Sequence, residues 1–453
     1  MQYITIFDYL LLPVYLYIFY IIVKKQSIKY DDEALRKFFI TAFFLRMTGS
    51  ILYSFVVQYY YGYGDAFTYY AGGNFIIEQI QNNFSDISLL FATPEELQKL
   101  YAFQEGAVGG VNGYIGISSA VALMKLSALL SILTFNKFLI TSILFGFFAF
   151  AGQWKLFMVF NDINNRNNQK LLAWGVLYTP SIWFWGSGLM KESICIGALG
   201  FIISILYKTF IKKQFSIKNI ILLVCMTYIV WLIKSYIIII LAIGLSTYLF
   251  FNTISRVKIF IIKAFIILFF LFISITIAFF SNFGEQLRIL AEESKAQVDT
   301  FQRNYEATQE ETESSRGSVS GSQFDPSLTG IILHSPIAVF TCLFRPFLWE
   351  SKKIFIFFSA LESTFLLLIT AYLIFKKKFF GFFKELFINP YIFMAFVISI
   401  LFALIIGFTT YNFGTIARYR IVLLPFYFFV LVRIYSSVED KKNTNSNVNF
   451  TIN

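Results

Sequence analysis

Apolar runs of roughly 17–25 residues, the length that crosses a bilayer as a helix, alternate with short charged clusters along the chain. They fall at about 8–23, 38–58, 138–160, 171–188, 193–211, 219–233, 236–251, 259–280, 354–375, 390–408 and 421–437. Eleven helical crossings are therefore expected, and the fold class is all-α, a polytopic transmembrane helical bundle. Two further apolar segments fit that series less well. Residues 108–134 are interrupted by Lys125, and 329–344 contain Pro336 and stop at Arg345. Both are expected to be re-entrant or interfacial, although 108–134 taken as two short crossings would give thirteen spans. Non-helical backbone at membrane depth is tolerated only where protein buries it or it lines a cavity, so either segment is a candidate border of a site. The short alternating segments of a transmembrane barrel are missing. No internal repeat is visible, which leaves an inverted-repeat transporter without support.

The charges between the runs orient them. Lys24, Lys25, Lys29, Arg36 and Lys37 follow the first run. Residues 59–107 carry Asp65, Glu78, Asp86, Glu95, Glu96 and Glu105 against Lys99 alone. Basic loops stay in the cytoplasm, so 24–37 is expected inside and 59–107 outside, with the N-terminus external. Lys208 to Lys218, Arg256 with Lys258, and Lys376-Lys377-Lys378 with Lys384 mark further inner loops. The acidic stretch 281–328 suits an external loop, and its Ser- and Gly-rich middle, Glu313 to Asp325, is expected to be flexible. Residues 1–437 then form a single integral membrane domain. The Asn- and Lys-rich tail, 438–453, is expected to be cytoplasmic and disordered. A bacterial cytoplasmic (inner) membrane is the expected location.

Composition narrows the classes further. The 453 residues are 57% hydrophobic and 14% charged, with a mean hydropathy of +0.68. Soluble domains have about 45–50% apolar and about 25% charged residues, so a string of soluble domains is excluded. The net charge of +11 comes mainly from basic residues flanking apolar runs, and nucleic acid is not an expected partner. Cys195, Cys225 and Cys342 lie in apolar stretches without paired spacing, and His334 alone cannot build a metal site. No cofactor is expected with certainty, and a divalent metal has no ligand set behind it. The first run lacks a basic n-region and a small-residue cleavage site, so it is expected to be a retained helix rather than a cleaved signal.

The candidate chemistry lies where polar residues gather at the expected external face. Five stretches bring them there: Asp65 with Tyr69 and Tyr70; Lys191 with Glu192; Lys234 with Tyr236 at the tip of a short hairpin; Arg345 with Glu350; and Asn412 with Arg418 and Arg420. Ionisable groups at this depth are functional candidates by default. Lys191, Lys234, Arg345, Arg418 and Arg420 are cations on the side where topogenesis disfavours them, and ammonium and guanidinium groups bind phosphate oxygens. Plainer readings stand beside each. Lys191 and Glu192 make a local ion pair; Arg418 and Arg420 are snorkelling anchors; Arg345 and Glu350 close a turn at Pro346; Asp65 caps the helix that follows it. Tyr59, Tyr60, Tyr61 and Tyr63 read as an interfacial aromatic belt.

Three features resemble the GT-C superfamily of membrane glycosyltransferases, which use polyprenyl-phosphate-linked sugars. They are a helix with Arg46 leading into Gly-Asp65-Ala-Phe-Thr-Tyr69-Tyr70, a following loop, 74–107, suited to interfacial helices, and a late span that opens on Arg418-Tyr-Arg420. Asp65 is followed by Ala and Phe rather than by a second acid, and a large C-terminal soluble domain is not expected. The resemblance implies transfer of a sugar from a polyprenyl-phosphate donor to a glycan, lipid or protein acceptor, in cell-envelope or polysaccharide biosynthesis. Asp65 would then be the catalytic base, and Lys191, Lys234, Arg345, Arg418 and Arg420 would bind the donor phosphate. Tyr69, Tyr70, Glu192, Tyr236, Glu350 and Asn412 would contact acceptor or sugar. Two rivals are a polysaccharide repeat-unit polymerase, which also wants external arginines, and a transporter or flippase, which wants charges near the bilayer midplane.

Overall fold

The computed structural model describes residues 3–102, 111, 114–254, 261–262, 265–270, 272–273, 328–351, 354–410 and 412–450. Among them there is no strand. The helices used below are α1 (Ile6–Ser27), α2 (Glu33–Phe55), α3 (Asp65–Asn82), α4 (Pro94–Ala102), α5 (Ser118–Ser131), α6 (Phe138–Ile163), α7 (Gln169–Leu177), α8 (Pro180–Trp185) and α9 (Lys191–Leu206). They continue with α10 (Ile217–Thr253), α11 (Leu328–Phe344), α12 (Ile354–Lys377), α13 (Phe379–Leu386), α14 (Pro390–Thr409), α15 (Phe413–Tyr419) and α16 (Leu424–Phe450). The expected all-α polytopic bundle is what the chain forms.

Seven described helices are long and apolar enough to cross a membrane: Ile6–Ser27, Glu33–Tyr61, Phe138–Ile163, Lys191–Ile211, Ile217–Phe251, Ile356–Lys377 and Pro390–Thr409. The pair Phe413–Val422 and Leu424–Val438, bent by 67°, makes an eighth if it is one span. The structure departs from the expected series in three places. The run 171–188 is two short helices, α7 and α8, because Pro180 lacks the N–H that would continue α7 and disfavours helical backbone before it. The runs 219–233 and 236–251 are two helical stretches that follow each other within α10 without a loop, meeting at a kink at Lys234 (φ −150°, ψ 80°). The last run, 421–437, follows a bend and continues as α16 to Phe450. The expected run 259–280 lies mostly outside the described residues, and 281–327 lies wholly outside them. Residues 118–131 and 333–344 are apolar helices shorter than the spans.

The helices cluster into two compact units, residues 1–159 with 182–235 and residues 160–181 with 236–453. In the first unit, small residues let helices approach closely, as is common where lipid provides no hydrophobic drive between them. A Cβ on Gly152 of α6 would fall on the backbone of Gly197 in α9, and one on Gly200 would meet Gly152. A Cβ on Gly73 of α3 would lie 2.9 Å from the Met124 carbonyl oxygen of α5. Gly152→Val is accordingly expected to cost about 1–3 kcal/mol by overpacking, read as an earlier midpoint in mixed-micelle unfolding. Gly381→Ala is the control. Its Cβ would meet nothing closer than 3.7 Å, so removing glycine's backbone freedom at this half-buried position of α13 should hold or raise the midpoint.

In the second unit α11 packs on α14, α14 on α16, and α16 on α7. Phe160 stacks on Phe429, with ring centroids 4.5 Å apart.

Candidate functional site

The candidate residues fall into two clusters, one in each unit. The first is built around the start of α3. A π-helical turn, Val56–Tyr61, ends the second span, and Gly62 (φ 70°) and Gly64 (φ 151°) then turn the chain through backbone that L side chains resist. Gly64 is the N-cap of α3, and Asp65 is the first residue inside the helix. The capping reading of Asp65 is thus corrected by one residue. Its carboxylate sits where the helix macrodipole favours negative charge and accepts a hydrogen bond from Tyr114 Oη at 2.8 Å.

Tyr69 lies one turn further along α3, on the same helical face as Asp65. Its ring meets Tyr114 edge-on at 6.0 Å, and the Lys191 ammonium lies 5.6 Å from its centroid. Lys191 opens α9 and donates to Ser119 Oγ at 2.8 Å. The next residue, Glu192, is fully buried and accepts from Lys234 Nζ at 2.9 Å. Lys234 is the residue whose non-helical backbone interrupts α10. A row of contacts therefore runs from Asp65 through Tyr114 and Tyr69 to Lys191, and the adjacent Glu192 joins it to Lys234.

The start of α9 is held by Arg46, buried in α2. Its Nη1 donates to Ile182 O at 2.8 Å and Gly186 O at 2.6 Å, two carbonyls near the end of α8, and Nη2 bonds Gln153 Oε1. A helix end leaves carbonyls without partners, and a guanidinium supplies several donors at once. Arg46 thereby braces the Gly186-Ser187-Gly188 turn that delivers Lys191 and Glu192. Tyr70 is occupied differently from its expected role. Burial pushes its phenol up to about 12, and the neutral Oη donates to Asn136 O at 2.6 Å, which makes it a packing contact. Tyr59, Tyr60 and Tyr63 are exposed.

The second cluster lies in the other unit. Arg345 and Glu350 pair: Nε lies 3.1 and 3.2 Å from the two carboxylate oxygens, and Nη2 also contacts Oε1. Glu350 also accepts from Phe347 N at 2.8 Å, so the turn-closing reading at Pro346 describes this pair. Arg420, expected to bind donor phosphate, is fully buried. It donates to Glu362 Oε1 at 2.9 Å, Ser363 Oγ at 2.6 Å, Ser359 Oγ at 3.1 Å and Arg345 O at 3.3 Å. Glu362 Oε2 accepts from Ser181 N at 2.8 Å. The Arg420 guanidinium is thus committed to bracing this unit rather than facing a ligand. Asn412, expected at a sugar, is the N-cap of α15, with Oδ1 accepting from Thr415 N at 2.7 Å. Arg418 is half-buried beside the Tyr419 ring at 5.6 Å. Tyr236 belongs to this second unit, with its ring 6.3 Å from Phe402.

Tyr114, Ser119 and Glu362 escaped the sequence reading. Tyr114 and Ser119 carry no local signal, because only the packing of α3 on α5 and of α9 beside them gives them partners. Glu362 did carry one, as a carboxylate inside an apolar run. Among the described residues, no group of three or more His, Cys, Asp or Glu is disposed to hold a metal ion. Compared with family models, curated proteins and solved structures, the chain matches none.

Proposed function

We propose that this multi-pass membrane protein is a glycosyltransferase that takes a sugar from a polyprenyl-phosphate-linked donor at the external face of a bacterial cytoplasmic membrane. The observation that carries the reading is the row from Asp65 through Tyr114 and Tyr69 to Lys191, which puts a carboxylate and an ammonium in one unit with two phenols between them. An acceptor hydroxyl attacking the anomeric carbon must lose its proton, and a positioned carboxylate can receive it. Asp65 takes that role. The bond from the anomeric carbon to the phosphate oxygen breaks with its electron pair going to the phosphate. Lys191 lies at the N-terminal end of α9, where macrodipole and ammonium act together on the developing charge. Lys234 neutralises the buried Glu192 beside it, and the Tyr114 ring and the buried Tyr69 ring stand between Asp65 and Lys191. The acceptor class, whether glycan, lipid or protein, is open to the same chemistry.

The test is direct. The purified chain, in nanodiscs, is incubated with a panel of polyprenyl-phosphate-linked sugars and a matching set of acceptors, and released polyprenyl phosphate is measured. Release above a protein-free control supports the reading, and none across the panel removes it. Within an active pair, Lys191→Ala is expected to lower turnover about 10–100-fold, the worth of one charge-assisted hydrogen bond to phosphate. Unchanged turnover would leave Lys191 as a partner for Ser119 and Tyr69 only.

A further inference from the structure

Helix α13 is a different kind of element from the spans around it. It follows the last residues of α12, Lys376 and Lys377, after a corner at Lys378, whose φ of 59° is one that glycine would adopt without strain. Around α13, Phe382 and Leu386 point into the protein and are buried. Phe379, Phe380 and Phe383 share the neighbouring arc and are exposed, Phe380 by 85%. Gly381, Lys384 and Glu385 fill the remaining arc. A short helix with one packed side, one bare aromatic side and one polar side, placed just past the end of a span, has the pattern of a helix lying in the plane of a membrane surface.

The charges beside it are sorted. Lys377 is taken up by Glu385 at 2.7 Å, with side chains 7% and 15% exposed. Lys376, Lys378 and Lys384 are exposed, and no carboxylate pairs with them among the described residues. Orienting the preceding span accounts for a basic cluster, but it does not account for a following helix that bares three phenylalanines. Basic residues next to inserted aromatics fit phosphate headgroups above acyl chains.

We infer that α13 is an in-plane anchor that seats Phe379, Phe380 and Phe383 among the acyl chains and gathers anionic phospholipid headgroups with Lys376, Lys378 and Lys384. This surface is separate from the row that begins at Asp65, and it does not depend on the proposed transfer reaction. Each lysine near the surface is expected to enrich anionic headgroups about fivefold locally.

The full chain carrying Phe380→Trp is reconstituted in nanodiscs containing either brominated phosphatidylglycerol or brominated phosphatidylcholine at the same minority fraction. The native chain supplies the background fluorescence. Quenching of the introduced indole by both lipids, and more strongly by the glycerol lipid, is the expected result. Lys376→Gln, Lys378→Gln and Lys384→Gln together should abolish the difference between the lipids while the indole stays quenched. Equal quenching by the two lipids in the unaltered lysine background would overturn headgroup selection. An unquenched indole would overturn insertion, and if the protein then eluted as a dimer the face would belong to a second copy. Phe383→Trp gives the same readout from the next turn if the first substitution reduces the yield of folded protein.

Discussion

Asp65→Asn is expected to lower turnover by about 10²–10⁴-fold, the usual contribution of a positioned general base, with the protein still folded and inserted. Asparagine keeps the size and a hydrogen-bond acceptor for Tyr114, which donates to Oδ1 in the native chain, so α3 should start at the same place. What it removes is the capacity to receive a proton from the acceptor hydroxyl. Tyr114→Phe separates position from chemistry. It leaves the base present but releases one of its contacts, and it should cost less than Asp65→Asn. The readout is release of polyprenyl phosphate at matched protein, alongside an unfolding midpoint to establish that the fold is intact. Asp65→Asn with native turnover would return Asp65 to an ordinary acid at a helix start.

The largest stability effect is expected in the other unit. Glu362 and Arg420 are buried together, with side chains 3% and 0% exposed, and pair at 2.9 Å. Removing one member of a buried pair leaves the other charge uncompensated, which costs about 3–5 kcal/mol. Glu362→Ala should therefore shift the mixed-micelle unfolding midpoint far more than any exposed substitution, and Arg420→Ala should do the same. The double substitution Glu362→Leu with Arg420→Met removes both charges and is expected to recover most of the loss. Recovery will not be complete, because Ser181 N–H loses its acceptor and the Arg345 carbonyl loses a donor. A single variant with a native midpoint would show that this pair contributes nothing net to the fold.

The contrast between these two experiments follows from how differently the residues could be read in the chain. Arg420 and Asp65 are each a charge near the end of an apolar run, and nothing local separates them. Arg420 is paired from α12, 58 positions away, and Asp65 is contacted from 49 positions away. Arg345 and Glu350 were legible as a turn-closing pair because five positions and a proline separate them. Asn412, expected at a sugar, caps α15 instead, a role it fills with a backbone N–H only three positions on.

What the sequence determined by itself was the class of molecule and the approximate position of most spans. A run of apolar residues long enough for the hydrocarbon layer must satisfy its own backbone as a helix, whatever its neighbours are. That is why Phe138–Ile163, Lys191–Ile211 and Pro390–Thr409 lie close to their expected places. Tertiary structure decided everything that depends on which helices meet. It broke one expected crossing at Pro180, set a kink at Lys234 between two others, and divided the candidate cations between two units. It buried Arg420 against Glu362 and left Lys191 beside Tyr69 and Ser119. A charge in an apolar run carries the same desolvation cost wherever it stands, and only its partner across the fold determines whether it braces the protein or meets a ligand.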